Sequence, residues 1–552
     1  MKPFFLLAIA TFFVSASFSQ NAASGKIDSL VDAWNITTWY VGELKNGKPN
    51  GLGVAVYKSG TAIRYVGNFV NGKYEGVGTL LFKDGAFLSG EWKAGKLNGQ
   101  GANLTTDKAF YQGDFVNGEK NGNGTLVYGN NSFYQGSYKN DKQEGRIISV
   151  GADATIFNDN IYAAGKMNGQ GYQYEVSSKK LFEGTWKDDK WVAPATGNYT
   201  SFLKSSSFVG EKTDKQVLMG IIKEKKPVDT TFYYNYAAKK RYYGPYRNGV
   251  FDKGLIIRDD STRFLGAVND DGAYGTCAFI KLGKFYNYGN YEKDFMSGDR
   301  NLSISIANKT VFYGQVSNKG NWNGQAWYAN NSNEIYKGKY VDNSLTEGWR
   351  IDKVGYCIKA TWNKGNIATV SALYNEKGEP INIKPKTFSD ALSTVARAYP
   401  TGYFGLSGND DFSDGYEEFL DEYYQSLINF PGTSSHDIIG VSKNDYDHYV
   451  STFITTSDFA AAKKKYDYLC AEIKKAGIVL KKGAAPVKLS GDIKAADADN
   501  DFNISQFTLS PAVKGYNFYA ISVVIRKNID DEYAVMVICG DKEDALTLKE
   551  EE

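Results

Sequence analysis

The sequence predicts a mainly β protein: an elongated single-layer antiparallel meander of β-hairpin repeats, followed by a small α+β domain. Three observations predict it. Glycine recurs at a fixed step through more than half of the chain. Large rings stand two places before and two places after the leading glycine of each step. Both patterns stop near residue 375, where apolar residues take up helical spacing.

The repeat is clearest at its start. YVGEL is anchored on Gly42, YVGNF on Gly67, LSGEW on Gly90, YQGDF on Gly113 and YQGSY on Gly136, in steps of 25, 23, 23 and 23 residues. Further glycines follow each of the first four anchors at +5, +9 and +11, as Gly47, Gly51 and Gly53 do after Gly42. Residues −2, 0 and +2 share one face of a strand, because side chains alternate. A glycine between two large rings leaves room for a neighbouring ring to lie against the backbone. Segments such as Lys45-Asn46-Gly47 supply the positive-φ residues of a hairpin turn, and the second strand follows it. Each unit is thus one hairpin, marginal by itself and stabilised by its neighbours.

The signal weakens but persists, through FEGTW at Gly184, YYGPY at Gly244, FYGQV at Gly314 and YKGKY at Gly338. Between Gly210 and Gly244 the step is irregular, which predicts an insertion or a lost register. Thirteen or fourteen units fit between residues 39 and 375. As one continuous ribbon they would reach roughly 125 Å, at about 4.8 Å per strand. The pattern Y-x-G-x-[FW]-x-x-G-x-x-x-G-x-G resembles the MORN repeat. That resemblance implies a scaffold, a dimerisation element or a membrane-associated module.

Residues 376–385, with two prolines and mixed charge, read as a linker, and residues 386–545 as the α+β domain. Helices are predicted over 389–397, 415–428 and 459–476, the last capped by Asp458 and ended by Gly477. Strands are predicted over 449–456, 519–527 and 532–539. Residues 546–552 read as a disordered tail. Residues 1–20, MKPFFLLAIATFFVSASFSQ, have the layout of a secretory signal peptide, with an apolar run too short for a membrane span. Secreted or periplasmic localisation follows.

Chemistry is sparse. The chain has 64 basic and 62 acidic residues, so its overall charge gives no general attraction to nucleic acid. Only two histidines occur, which leaves little material for His-based catalysis or metal sites. His436, between Ser435 and Asp437, lacks a G-x-S-x-G elbow and reads as a loop residue; His448 reads as a surface residue. Asp497, Asp499, Asp501 and Asn503 alternate, but an EF-type loop from Asp497 would place Phe502 and Thr508 where Gly and Glu belong. The four cysteines form no C-x-x-C pair and read as buried free thiols, with a Cys470–Cys539 bridge the alternative. No cofactor or metal is expected.

The aromatic rows read mainly as the core of a thin sheet. As binding candidates they offer Tyr40, Tyr65, Trp92, Tyr111, Tyr134 and Trp186. The functional expectation is an exported, non-catalytic scaffold. The array would be its spacer, and the C-terminal domain would recognise a protein partner or a cell-envelope component. A carbohydrate or peptidoglycan binder using the rings is the first alternative, and an enzyme with its activity in the C-terminal domain the second.

Overall fold

The computed structural model describes residues 23–31, 37–57, 60–194, 208–223, 226–247, 250–251, 253–258, 262–269, 272–352, 355–375, 379–401, 403, 406–410, 422–435, 437–441, 447–481, 483–528 and 530–542. The expected signal peptide, His436, residues 376–378 at the start of the expected linker, and the C-terminal tail lie outside them.

In the first sheet each repeat from Gly42 to Gly184 is a hairpin closed by a two-residue turn. At Asn46-Gly47 both φ values are positive, +53° and +70°, and Lys45 pairs with Lys48. This is the type I′ geometry whose twist matches the flanking strands. Where aspartate or asparagine replaces the second glycine, its side chain clasps the preceding hairpin. The Asp141, Asp294 and Asn343 oxygens accept from the backbone N–H of Lys120, Ala273 and Trp322 at 2.9, 2.7 and 2.7 Å.

The leading glycine and the +11 glycine pair across each hairpin, and each +11 glycine pairs with the next leading one. Gly42, Gly53, Gly67, Gly78, Gly90, Gly101, Gly113, Gly124 and Gly136 therefore form one rung-by-rung ladder across the strands. The ring at −2 lies flat over this ladder. A Cβ at Gly78 would meet the Tyr65 ring, Cζ at 2.5 Å and Cε2 at 2.8 Å. The tyrosine hydroxyls return to their own strand: Tyr40 Oη donates to the Glu43 carbonyl at 2.9 Å and Tyr111 Oη to the Asp114 carbonyl at 3.2 Å. Rings of neighbouring units pack in a herringbone, with Tyr40–Phe69 and Tyr65–Phe69 both edge-on at 84°.

The meander does not run as one ribbon. Among the described residues it forms a 15-stranded sheet, from Ala23–Val31 to Lys190–Ala193, and a 17-stranded sheet, from Phe208–Lys212 to Pro380–Ile381. The two lie face to face. The single layer predicted from sequence describes each sheet but not the body, and the end-to-end length is correspondingly shorter. Their shared core sets Val41, Val54, Val66, Leu81 and Phe110 against Ile280, Ile304, Val311 and Ile335. Each such side chain contributes about 1.5–3 kcal/mol by leaving water. Further along the sheets, Phe133, Phe157 and Tyr172 meet Val217, Phe232 and Leu255.

Buried arginines clamp the two layers. Arg64 Nη1 donates to the Asn330 carbonyl at 2.6 Å, Arg241 Nη1 to the Ala152 carbonyl at 2.8 Å, and Arg263 Nη1 to the Lys108 carbonyl at 2.9 Å. All three occupy the −3 place of their repeats. Burial pushes the Arg64 and Arg263 guanidinium groups down to about 10. These inter-sheet pairs are roughly symmetric in sequence about Ala193, so the array closes like one large hairpin.

The meander also passes through the irregular stretch. Strands Phe208–Lys212, Gln216–Lys223, Lys226–Asn235 and Lys240–Gly244 pair in order. Elsewhere in the second sheet the fading pattern has a direct cause. Cys277, Asn301, Ala326 and Ala360 stand at ladder places opposite Gly289, Gly314, Gly338 and Gly348. Small residues replace glycine there, and the sheet continues.

Beyond residue 386 a nine-stranded antiparallel sheet carries helices α1 (Phe388–Ala398) and α2 (Phe459–Lys475). Thr387 caps α1 and Asp458 caps α2. The helix predicted over 415–428 is overturned at its end. Glu422–Ser426 is a strand paired with Ile438–Val441, and long-range pairing overrides an ambiguous short apolar run. Residues 411–421 lie outside the described set. One face of the domain's sheet has a small cluster of its own, Val450, Val524, Met536 and Ile538, while its main core is shared. Leu392, Val395, Tyr466 and Leu469 pack in one cluster with Ile358, Trp362 and Leu373 of the second sheet. Pro380–Ile381, inside the expected linker, pair with Leu373 and Tyr374. The Asn409 side chain grips both backbone groups of Ile367.

Two predictions follow from these contacts. Gly78→Ala should destabilise the array by about 1–3 kcal/mol through overpacking. Gly101→Ala should cost less, because Leu88 replaces the tyrosine there and the nearest atom to a Cβ is Phe115 Cδ2 at 3.0 Å. Urea unfolding midpoints of the two variants check the order. The second concerns Asp437, which is fully buried. Its Oδ2 accepts from Phe430 N–H at 2.7 Å and Tyr449 Oη at 2.8 Å, while Oδ1 has no partner. Burial pushes this carboxyl from 3.8 up to about 7. The folded state therefore holds a proton that the unfolded chain releases. The group favours folding below pH 3.8, and that contribution is lost as pH rises toward about 7. Thermal midpoints across that range should fall with pH in the wild type and flatten in Asp437→Asn.

Candidate functional site

The six rings singled out from sequence sit on the outer face of the first sheet. Tyr40, Tyr65, Trp92, Tyr111 and Trp186 are buried, and Tyr134 is half-buried. Neighbouring rings cover most of them: Tyr65 stacks on Tyr74 at 3.7 Å and stands edge-on to Trp92, whose Nε1 donates to the Gly78 carbonyl at 2.9 Å. Burial raises the phenols of Tyr40 and Tyr65 well above their ordinary range.

The hydrolase-like and calcium-like motifs are occupied by structural contacts. Asp437 is held by Tyr449, and Ser434 Oγ donates to the Thr452 carbonyl at 3.1 Å. Asn503 staples its own loop, accepting from Asp497 N–H at 2.9 Å and donating to the Asp497 and Asn500 carbonyls at 3.0 and 2.9 Å. All four cysteines are free and buried, which settles Cys470 and Cys539 as thiols in this structure. Burial pushes Cys277 and Cys470 up to about 11 and Cys539 to about 12, so none of these three is poised as a nucleophile. Among the described residues no group of three His, Cys, Asp or Glu side chains could hold a metal ion.

What sequence reasoning missed lies on the inner face. Positions −1, +1 and +10 of each repeat point toward the second sheet. In the first two units −1 is Val41 and Val66, and +10 is Leu52 and Val77. Further on, −1 becomes Ser89, Gln112 and Gln135, while +10 becomes Gln100 and Asn123. The inner face thus turns polar midway along the sheet, beside an apolar strip of Phe87, Leu104 and Phe110 that keeps contact with the second sheet. Opposite the polar residues the second sheet offers small ones, Gly266, Ala267 and Ala278. Larger side chains, Tyr243, Leu265 and Tyr288, stand beside these small ones, and space is left between the sheets.

The result is a pair of connected clefts of about 750 and 640 Å³ that share Gln100, Thr276 and Tyr288. Gln112 and Ala278 are buried at the floor of the first, and Gln100, Asn123 and Thr276 are exposed at its mouth. The second adds Glu75, Glu91, Asp299, Arg300 and Tyr313, and Trp92 borders it while its ring packs against Tyr65 and Tyr74 on the outer face. Hydrogen bonds fix this lining. Tyr286 Oη donates to Gln112 Oε1 at 2.7 Å, Asn123 N–H to Asp114 Oδ2 at 2.7 Å, and Gln135 Nε2 to Thr125 Oγ1 at 3.2 Å. Gln100 Nε2 donates to Asp114 Oδ1. Burial and the Glu91 and Asp114 carboxylates raise the Tyr288 phenol. The arrangement can hold a polar ligand by many neutral hydrogen bonds.

Comparison with known proteins agrees with the ladder. The family model of the MORN repeat matches residues 40–62, 65–87, 89–101, 111–133 and 134–146. No curated protein matches the chain. MORN repeats are interaction modules for proteins or membrane lipids. Among the described residues no helix is long and apolar enough to cross a membrane. The matched segments fall on the hairpins of the glycine ladder, so residues 40–146 carry MORN repeats.

Proposed function

We propose that the protein is an exported, non-catalytic interaction protein in which the paired sheets form a stiff body and the inter-sheet groove takes the ligand. The observation that carries this reading is the groove itself. It is walled by two hydrogen-bonded sheets and lined by amides and carboxylates already oriented by partners. The MORN family, generally non-catalytic, supports the same reading. The N-terminal leader pattern supports export to the periplasm or beyond. The C-terminal domain shares its core with the last hairpins, and we assign it recognition of a second component, a protein or a part of the cell envelope.

Affinity capture from a cell-envelope fraction tests this with the full-length chain. Ala278→Trp fills the cleft floor and should abolish retention of the captured component, with the wild-type elution volume kept. Retention that survives the substitution removes the groove from the function. Turnover of a substrate by the purified protein removes the non-catalytic reading.

A further inference from the structure

The groove's chemistry narrows its ligand, on the reading that the groove is the binding site. Four carboxylates, Glu75, Glu91, Asp114 and Asp299, face two cations, Lys93 and Arg300. That excess repels nucleic acids, phospholipid headgroups and acidic polymers. The walls lack the continuous apolar lining an acyl chain needs, since Gln112, Asn123, Thr125, Gln135 and Thr276 interrupt them. The carboxylate of Asp114 is committed to Asn123 N–H and Gln100, so it is a weak counter-charge for a cationic peptide.

The lining instead alternates donors and acceptors at neutral groups. Gln112 is 6% exposed with its Oε1 accepting from Tyr286, so its Nε2 is the group left to donate. Gln135 keeps its oxygen, having donated only its amide to Thr125. Beside them the half-buried ring of Tyr288 lines both clefts. Hydroxyl groups on adjacent carbons, each able to donate and accept, match amides set in this way. The C–H face of a sugar ring suits a tyrosine surface. The lining spans six neighbouring strands of the first sheet, from Lys73–Phe82 to Phe133–Lys139. At about 4.8 Å per strand that is roughly 24 Å, room for several linked rings.

We propose that the inter-sheet groove binds a neutral oligosaccharide, with Gln100, Gln112, Asn123 and Gln135 reading its hydroxyls and Tyr288 supporting one face. Isothermal titration of the full-length protein with cellohexaose, maltohexaose, xylohexaose and chitohexaose tests it. Saturable binding of at least one is expected. Gln135→Leu, at the accessible rim, should weaken it about tenfold (~1.4 kcal/mol) with an unchanged thermal midpoint. Gln112→Leu should weaken it further, and a companion Tyr286→Phe variant separates the lost amide from the lost internal hydrogen bond. If none of the four sugars binds at millimolar concentration, the proposal fails. It fails equally if oligolysine binds the groove in a salt-sensitive way instead. Envelope capture that still depends on Ala278 would then leave the groove reading standing without the sugar.

Discussion

The structure depends on the close approach of two glycines beneath a tyrosine ring. A leading glycine and its +11 partner bring two strands together with no side chain between them, and the ring covers both. The ring's hydroxyl returns to its own strand, three residues on. One face of the first sheet is therefore closed by its own residues. A thin sheet normally needs another layer on its apolar side; this one supplies that layer from its rings. The opposite face is thereby free to seek a different partner, and it finds the second half of the same array.

This division of labour between faces explains what the sequence made legible. Spacing of glycine and rings identifies hairpins, turn type and strand order, because each depends on residues within one unit. The fold-back depends on residues of opposite parity, Val41, Val54, Val66 and Leu81, whose partners lie more than two hundred positions away. Their signal was present as apolar residues on both parities of one strand, a mark of burial on both faces. The dominant glycine pattern masked it. The arginines at −3 carried a second signal. Three long cations in one register place, Arg64, Arg241 and Arg263, mark carbonyl groups arriving from elsewhere. In the C-terminal domain local rules found the two capped helices but failed at Glu422–Ser426, where pairing with Ile438–Val441 decides.

The candidate site was the least legible part, for the same reason. Rings drew attention as binding platforms, yet rings in this repeat are structural and satisfy one another. The groove is built where the repeat departs from itself, as −1 passes from valine to glutamine and +10 from leucine to glutamine and asparagine. In a repeat protein the invariant places hold the fold together, while the places that drift along the array are free to carry recognition. Reading each register position as its own column along the array, separately from the consensus, brings out Gln100, Gln112, Asn123 and Gln135 together.

On the proposed reading, the join to the C-terminal domain sets how recognition is presented. A flexible linker would let the two parts move independently, but Arg350 Nη2 donates to the Ser407 carbonyl at 2.7 Å and Asn409 grips Ile367. Buried side chains of both parts form one cluster. Opening the join would expose Trp362, Leu373, Leu392 and Tyr466 to water, at about 1.5–3 kcal/mol for each large apolar side chain. Groove and terminal domain are thus held at a fixed separation and orientation. A ligand bound between the sheets and a partner bound at the terminal domain would be spaced by the body itself, the mechanical property a scaffold requires.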